Sequence, residues 1–376
     1  MRVIVLGGGP AGLYAATQIR RRVAGAQVTL IEQNPEGATY GFGVVFSDQA
    51  LAFLMAGDPE THAALTPKLA TWRDMTLDIE GTRIVIDGIG FAAIGRLALI
   101  QILTERARAA GVELTFATRL AAPAELPAAD LVIAADGVNS SVRDGAKDAF
   151  GTEIGLLSNR FAWFGTPAMF ATLTQTFRRT PEGAFNAHHY RYAPGMSTFI
   201  VECDAATFAR AGLAQLDEAA TRHKLEGIFV DALRGAPLIS NRSLWRQFPL
   251  VTNRRWSHGN VVLIGDALHT AHFSIGSGTR LALEDALVLA DSLAASPRDV
   301  GAALAAFEAV RRPAVDKLVA AATASAHWYE RFANHLRLPP YEMALSYISR
   351  SGRVNRDRLR ELSPRFAADY ERATAR

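Results

Sequence analysis

The sequence predicts an α/β protein: a mainly parallel sheet flanked by helices, a second, antiparallel sheet inserted into it, and a helical C-terminal part. Three observations predict this. Short apolar runs surround a glycine turn near the N-terminus and recur at wide spacing, a middle stretch alternates at period two, and the last third is alanine-rich with helical texture.

The elements follow in order. Arg2 to Leu6 reads as a buried strand, a glycine turn follows, Ala11 to Val23 reads as a helix, and Gln27 to Ile31 as a second buried strand. Together they form a strand–helix–strand unit of about 30 residues, the opening of a doubly wound sheet. Arg96 to Ala110 reads as an amphipathic helix, and Val112 to Ala117, Leu131 to Ala135 and Val261 to Ile264 as further strands of that sheet. Met75 to Ile86 alternates like an antiparallel strand. So do His189 to Tyr192 and Ser197 to Val201, with the turn residues Pro194 and Gly195 between them. From Gly278 the chain reads as helical through Leu293, again over Val300 to Val310 and Pro313 to Phe332, and in a charged tail to Arg376.

With 376 residues, 49% of them hydrophobic, the chain has material for one to two interlocked domains. Every apolar stretch is broken well short of the roughly 18 residues a membrane helix needs, so no membrane span is expected. The N-terminus passes straight into glycines and does not read as a secretory signal. A single cysteine, Cys203, excludes an intrachain disulfide and fits a reducing, cytoplasmic setting. The formal net charge of +3 comes from scattered arginines, a pattern that argues against nucleic acid as partner and suits a small polyanion. No metal-ligand cluster is evident in the sequence.

Three segments carry chemistry. Gly7, Gly9 and Gly12 form GxGxxG between the first strand and the first helix, where backbone can approach a pyrophosphate at a positive helix end. Glu32 closes the second strand, placed for the ribose hydroxyls of an adenosine moiety. The motif by itself does not distinguish NAD from FAD. Further on, Asp136-Gly137-Val138-Asn139-Ser140-Ser141-Val142-Arg143 follows one short strand. Gly265-Asp266-Ala267-Leu268-His269 follows another, leading through Phe273, Gly276 and Gly278 into a helix with Glu284 and Asp285.

In this order and at these separations the three segments resemble the group A flavoprotein hydroxylases, the para-hydroxybenzoate hydroxylase family. The resemblance implies a Rossmann-like FAD-binding domain in three pieces (1–72, 93–157 and 257–326), a substrate domain in two (73–92 and 158–256), and a C-terminal helical segment (327–376). It implies FAD as cofactor, NADH or NADPH as transient reductant with no second dinucleotide fold, and dioxygen as co-substrate. The residues implied to hold the cofactor are Gly7, Gly9, Pro10, Ala11, Gly12, Glu32, Gln33, Arg96, Asp136, Gly137, Arg143, Gly265, Asp266, Gly276, Ser277, Gly278 and Thr279. Asp266 falls to the sugar hydroxyls and Arg96 to the pyrophosphate. Asp136 and Arg143 fall near the flavin and the nicotinamide route. The helix opening near Thr279 points its positive end at the flavin pyrimidine.

Phe273 stands where the family has proline, and Arg280 where it often has asparagine. The run His272 to Arg280, with Gly88-Ile89-Gly90-Phe91 and Ser197 to Cys203, resembles instead the salicylyl-CoA 5-hydroxylase and 2-aminobenzoyl-CoA monooxygenase branch. The reaction implied is ring hydroxylation through a flavin C4a-hydroperoxide, as in 5-hydroxylation of salicylyl-CoA. The violacein-pathway hydroxylase, with an indolic substrate, and a hydroxylase of free aromatic acids are the alternatives. Ring reduction is not expected, and a homodimer is possible. His272, His188, His189 and Tyr190 are candidate bases, and Phe273, Arg191, Arg246 and Trp163 candidate substrate contacts. Two other uses of the scaffold fit less well. A colourless binding protein leaves the flavin motifs unexplained, and a halogenase lacks its WxWxIP run, the nearest text being Trp163-Phe164-Gly165.

Overall fold

The computed structural model describes residues 1–120 and 128–375; Arg376, the end of the expected helical tail, lies outside the described residues. Its main sheet has the order Ser257–His258, Val261–Leu263, Leu131–Ala134, Arg2–Leu6, Gln27–Ile31, Glu113–Thr115. All pairs are parallel except the edge hairpin of Ser257–His258 with Val261–Leu263. Leu131–Ala134 is buried along its whole length, as a strand covered on both faces must be. The first helix, Pro10–Arg22, starts on proline at N1 and packs against the long helix Gly278–Ala295.

The second sheet runs Arg160–Thr166, Met196–Cys203, Gly183–Ala193, Leu173–Thr180, Met75–Ile79, Thr82–Ile86. Met75 to Ile86 is thus a hairpin, turning at Glu80 and Gly81, both of which adopt positive φ. Expected to be antiparallel throughout, this sheet contains one parallel joint, between Met75–Ile79 and Leu173–Thr180. Those two strands are almost a hundred residues apart, so no short hairpin fixes their direction. A third sheet, Gly43–Ser47 with Phe91–Gly95 and Ala70–Trp72, joins the two larger ones and has no counterpart in the sequence reading.

Strand alternation divides the second sheet into two faces. Phe185, Phe199 and Val201 face a core shared with Leu225 and Phe229, whereas Leu77, Phe177 and Tyr190 face one shared with Trp328, Tyr329, Phe332 and Tyr347. The helical C-terminus therefore roofs the sheet. The two helices expected on either side of Pro313 form one, Val300–Tyr329. Burial of Phe307, Arg311, Val315 and Leu318 along one side holds both halves to the core despite the backbone bond that proline removes.

The roof is latched at its end. Asp87 accepts backbone hydrogen bonds from Phe366 (2.9 Å) and Arg365 (3.3 Å) at the start of the helix Pro364–Thr374, and Ser363 donates to the Asp87 carbonyl. Asp87→Ala is expected to cost about 1–2 kcal/mol of stability and to open the C-terminal arginines to trypsin. Chemical denaturation and limited proteolysis check it; an unchanged digestion pattern contradicts the latch.

Candidate active site

The glycine turn is built from three different constraints. A Cβ on Gly7, whose φ is +102°, would stand 2.3 Å from the Ala135 carbonyl oxygen, and one on Gly12 would stand 2.0 Å from the Gly7 carbonyl oxygen. A Cβ on Gly9 meets nothing within 4 Å. The first and third glycines thus let backbone pack on backbone, and the middle one leaves open the space before the helix N-terminus. Glu32 fixes the turn from the side, accepting from the amides of Gly8 (2.6 Å) and Asn34 (2.7 Å). Pro10 and Ala11 lie in the first turn of the helix, and Gln33 is exposed.

Two more loops meet this turn. Asp136 accepts from the Ser141 amide (2.9 Å) with one oxygen, while the other is buried without a partner. Gly137 beside it has φ +83° and open space where a Cβ would lie. Gly265, at φ +59°, packs against Ala11 and turns Asp266 outward, so its carboxylate is ringed by protein yet still reached by solvent. Desolvation raises the Asp266 carboxyl above its ordinary range, with His269 and Arg96 pulling the other way. Burial in turn lowers Arg96, whose Nε donates to Thr39 (3.1 Å) and which feels Asp266 as its charge partner. After Gly276, at φ +62°, Ser277 is buried and Gly278 and Thr279 open the helix Gly278–Ala295 with its first turn free of acidic residues.

Asp285 anchors this arrangement from below. Its two oxygens take His269 Nε2 (2.9 Å), the Gly265 amide (3.3 Å) and Arg311 Nε (2.9 Å). Arg311 also donates to Glu284 (2.8 Å), which is bridged to Arg280 (2.6 Å). Burial pushes Asp285 up, but His269 and Arg311 outweigh it and hold the carboxylate below its usual range. Arg311 was not singled out in the sequence. Its signal is an arginine in the stripe Leu304, Phe307, Arg311, Val315, Leu318.

Several of the other expected site residues have partners within the protein. Arg143 is only 1% exposed and spends its guanidinium on the carbonyls of Val138 (2.8 Å) and Ala267 (3.4 Å) and on Asp144 (2.9 Å). It braces two loops. His189 points to the far face of the second sheet, bonded to Thr176 (2.8 Å) and stacked 5.1 Å from Phe199, because alternation separates it from His188 and Tyr190. Tyr190 faces the right way, but its hydroxyl donates to the Gly43 carbonyl (2.9 Å) and burial pushes its acidity out of reach. Arg191 is tied to the Thr71 carbonyl (3.1 Å), and Arg246 is exposed. Trp163 covers Gly41, whose Cβ would sit 3.0 Å from the indole.

His272 and His188 remain. His272 lies in a nest of rings, 4.2 Å from Phe273, 4.9 Å from Phe248 and 6.0 Å from Tyr329, and Phe161 completes it 5.0 Å from Phe273. Burial first, and then the charge of Arg350, push both histidines down to about 3, so both are neutral at ordinary pH. Glu202, also not singled out from sequence, is buried beside Asn159 (2.7 Å), with one oxygen unpartnered.

Residues 110–322 match the family model described as "FAD binding domain", and residues 1–135 match "Pyridine nucleotide-disulphide oxidoreductase". The chain belongs to the FAD-dependent aromatic hydroxylase family. It is 41% identical to a salicyloyl-CoA 5-hydroxylase of a Streptomyces species, over 93% of this chain and 70% of that one. It is 37% identical to a 3-hydroxy-4-methyl-anthranilyl-[aryl-carrier protein] 5-monooxygenase of Streptosporangium sibiricum, over 94% and 95%. The solved 2-methyl-3-hydroxypyridine-5-carboxylic acid oxygenase shares the fold, with TM-score 0.73 at 19% identity over 96% of each chain. The hydroxylase is therefore a single-component flavin monooxygenase using FAD and NAD(P)H. Among its described residues no helix is long and apolar enough to cross a membrane.

Glu202 offers a pH test of the hydroxylase. Burial raises its carboxyl to about 8, so the folded state holds a proton that the unfolded chain releases near about 4.3. The stability this proton gives is complete below about pH 4.3 and is lost as the pH rises through about 8. Glu202→Gln is expected to melt increasingly above the parent protein across that window. Melting curves that stay parallel contradict the assignment.

Proposed function

We propose that the hydroxylase adds one oxygen to the ring of an aryl thioester such as salicyloyl-CoA, para to its hydroxyl. The observation that carries this is that two relatives, each matched over more than nine-tenths of this chain, are named for the 5-oxygenation of a hydroxy- or amino-aryl group carried on coenzyme A or on an aryl-carrier protein. The net reaction consumes the aryl thioester, one NAD(P)H, one dioxygen and one proton, and yields the hydroxylated thioester, NAD(P)+ and one water.

The site fits FAD. The space over Gly9 is open, the loops that carry Asp136 and Asp266 pack on the glycine turn and the first helix, one Asp136 oxygen is unpartnered, and the lightly bonded Arg96 is close enough to Asp266 to feel its charge. In this reading, amides at the start of Pro10–Arg22 and Arg96 hold the pyrophosphate, Glu32 and Asp266 the sugar hydroxyls, and Gly276 to Thr279 the ring edge. FAD supplies, when bound, the activation of dioxygen by two electrons taken from NAD(P)H. Phe161, Phe248 and Phe273 form an apolar wall that orients an aromatic ring and keeps water out. Neutral His272, whose Nδ1 accepts from the Ser274 amide (3.4 Å), carries its proton on Nε2 and in this reading donates it in a hydrogen bond to the oxygen of the ring hydroxyl.

The purified, FAD-loaded protein is to be screened with salicyloyl-CoA, 2-aminobenzoyl-CoA, the free acids and an indolic acid, following NADH and NADPH oxidation and product mass. A thioester is expected to accelerate oxidation and gain one oxygen. Acceleration by free salicylate with none by its thioester overturns the thioester substrate and leaves the hydroxylase class intact.

A further inference from the structure

The roofed face of the second sheet carries polar groups that the protein leaves unpaired. Across the strands, Gln175 stands opposite His188 and His188 opposite Ile200, which places their side chains together on that face. His188 lies 5.4 Å from the Tyr190 ring, and Tyr190 lies 6.1 Å from Trp72. Trp72 Nε1, both polar atoms of the Gln175 amide and both ring nitrogens of His188 are buried with no hydrogen-bond partner. Gln175 is 0% exposed and His188 6%. Leu173 and Phe177, at period two from Gln175, are apolar on the same face, so a leucine in place of Gln175 would have packed there at no polar cost.

Arg350 adds a charge without a counterion. It leaves the helix Pro340–Ser349 to donate to Ser325 Oγ (2.9 Å) and to the carbonyls of Tyr347 (2.7 Å) and Ser274 (2.7 Å), with its guanidinium 3.7 Å from the Tyr347 ring. Among the described residues no carboxylate lies within salt-bridge distance of it. Through Ser274 it reaches the turn that carries His272 and Phe273. The unpaired groups of the sheet and this cation therefore bear on the same layer, between the sheet and the flavin-side loop.

We propose that Gln175 and His188 form a clamp that reads the ring substituents, selecting an aromatic ring with a hydroxyl or amino group ortho to an acyl carbonyl. Only the Gln175 amide offers a donor and an acceptor side by side, and an ortho-hydroxy or ortho-amino aryl carbonyl presents the complementary acceptor and donor on one edge. A ring bearing the carbonyl alone satisfies half of the clamp and leaves a buried acceptor unpaired. The positive charge of Arg350 favours electron density on the ring oxygen as the ring is attacked. The clamp rests on the aromatic-thioester reading above but specifies something that reading does not, the ring pattern.

The test uses the FAD-loaded protein without NAD(P)H, so that binding is read from the flavin absorbance and no turnover occurs. Gln175→Leu is expected to fold, since it removes unpaired polar atoms at nearly constant volume, and to melt no lower than the parent protein. It should weaken salicyloyl-CoA about tenfold or more and benzoyl-CoA by clearly less, and Gln175→Glu, which keeps an acceptor for the ring hydroxyl, should still favour salicyloyl-CoA over benzoyl-CoA. Equal losses for both thioesters, no loss for either, or a fall in melting temperature with unchanged selectivity overturns the clamp. If the parent protein binds neither thioester, the thioester reading fails, and the comparison is repeated with salicylate and benzoate. A loss in Gln175→Leu that is larger for salicylate than for benzoate then sustains the clamp, and any other result overturns it.

Discussion

Everything at the cofactor side of this molecule depends on one buried carboxylate. Asp285 has zero exposure and joins three pieces of chain that are otherwise free to move apart: the loop after Val261–Leu263, the helix Gly278–Ala295 on which it sits, and the helix Val300–Tyr329 through Arg311. A buried charge survives only when its bonding is complete, and stripping one partner from such a cluster costs about 3–5 kcal/mol. Here every oxygen of Asp285 is used, and Glu284 balances the remaining side of Arg311. The consequence is positional. With Gly265 held by Asp285 and packed on Ala11, the backbone that carries Asp266 is fixed beside the first helix.

The substrate side obeys the opposite rule. Where the ion cluster is saturated, the roofed face of the second sheet is under-bonded, with Gln175, His188 and one oxygen each of Glu202 and Asn159 lacking partners. Burial keeps His188 and His272 neutral there, and Arg350 reinforces it. Saturated charge fixes the scaffold, and unsaturated neutral polarity is left for what binds.

How much of this the residues announce depends on the range of the interaction. The strand–turn–helix unit and the helix after Gly276 are local patterns, and they were expected within a residue or two of where Arg2–Leu6, Pro10–Arg22 and Gly278–Ala295 are found. The three-stranded sheet of Gly43–Ser47, Phe91–Gly95 and Ala70–Trp72 was illegible because each strand is short and its partners are distant in sequence. For the site, the glycines and Asp266 were legible because backbone approach demands particular residue types. His189 and His188 were not distinguishable, since alternation says that neighbours part but not which one faces inward. The carbonyls that take up the Arg143 guanidinium were not legible, because its motif carries no record of them. Gln175 and Arg311 were readable in principle as polar residues at apolar phase.

In the proposed reading a dinucleotide's pyrophosphate lies in the space over Gly9, and one substitution isolates that contact. Gly9 has ordinary extended backbone, with φ −75° and ψ 177°, and no protein atom within 4 Å of an added Cβ, so Gly9→Val fills the cradle without straining the chain. Purified parent and Gly9→Val proteins, stripped of flavin, are titrated with FAD, and occupancy is read from the absorbance of bound flavin. The account requires Gly9→Val to melt like the stripped parent protein yet fail to take up FAD, while the parent fills to one FAD per chain. A folded Gly9→Val protein that binds FAD as tightly as the parent contradicts it.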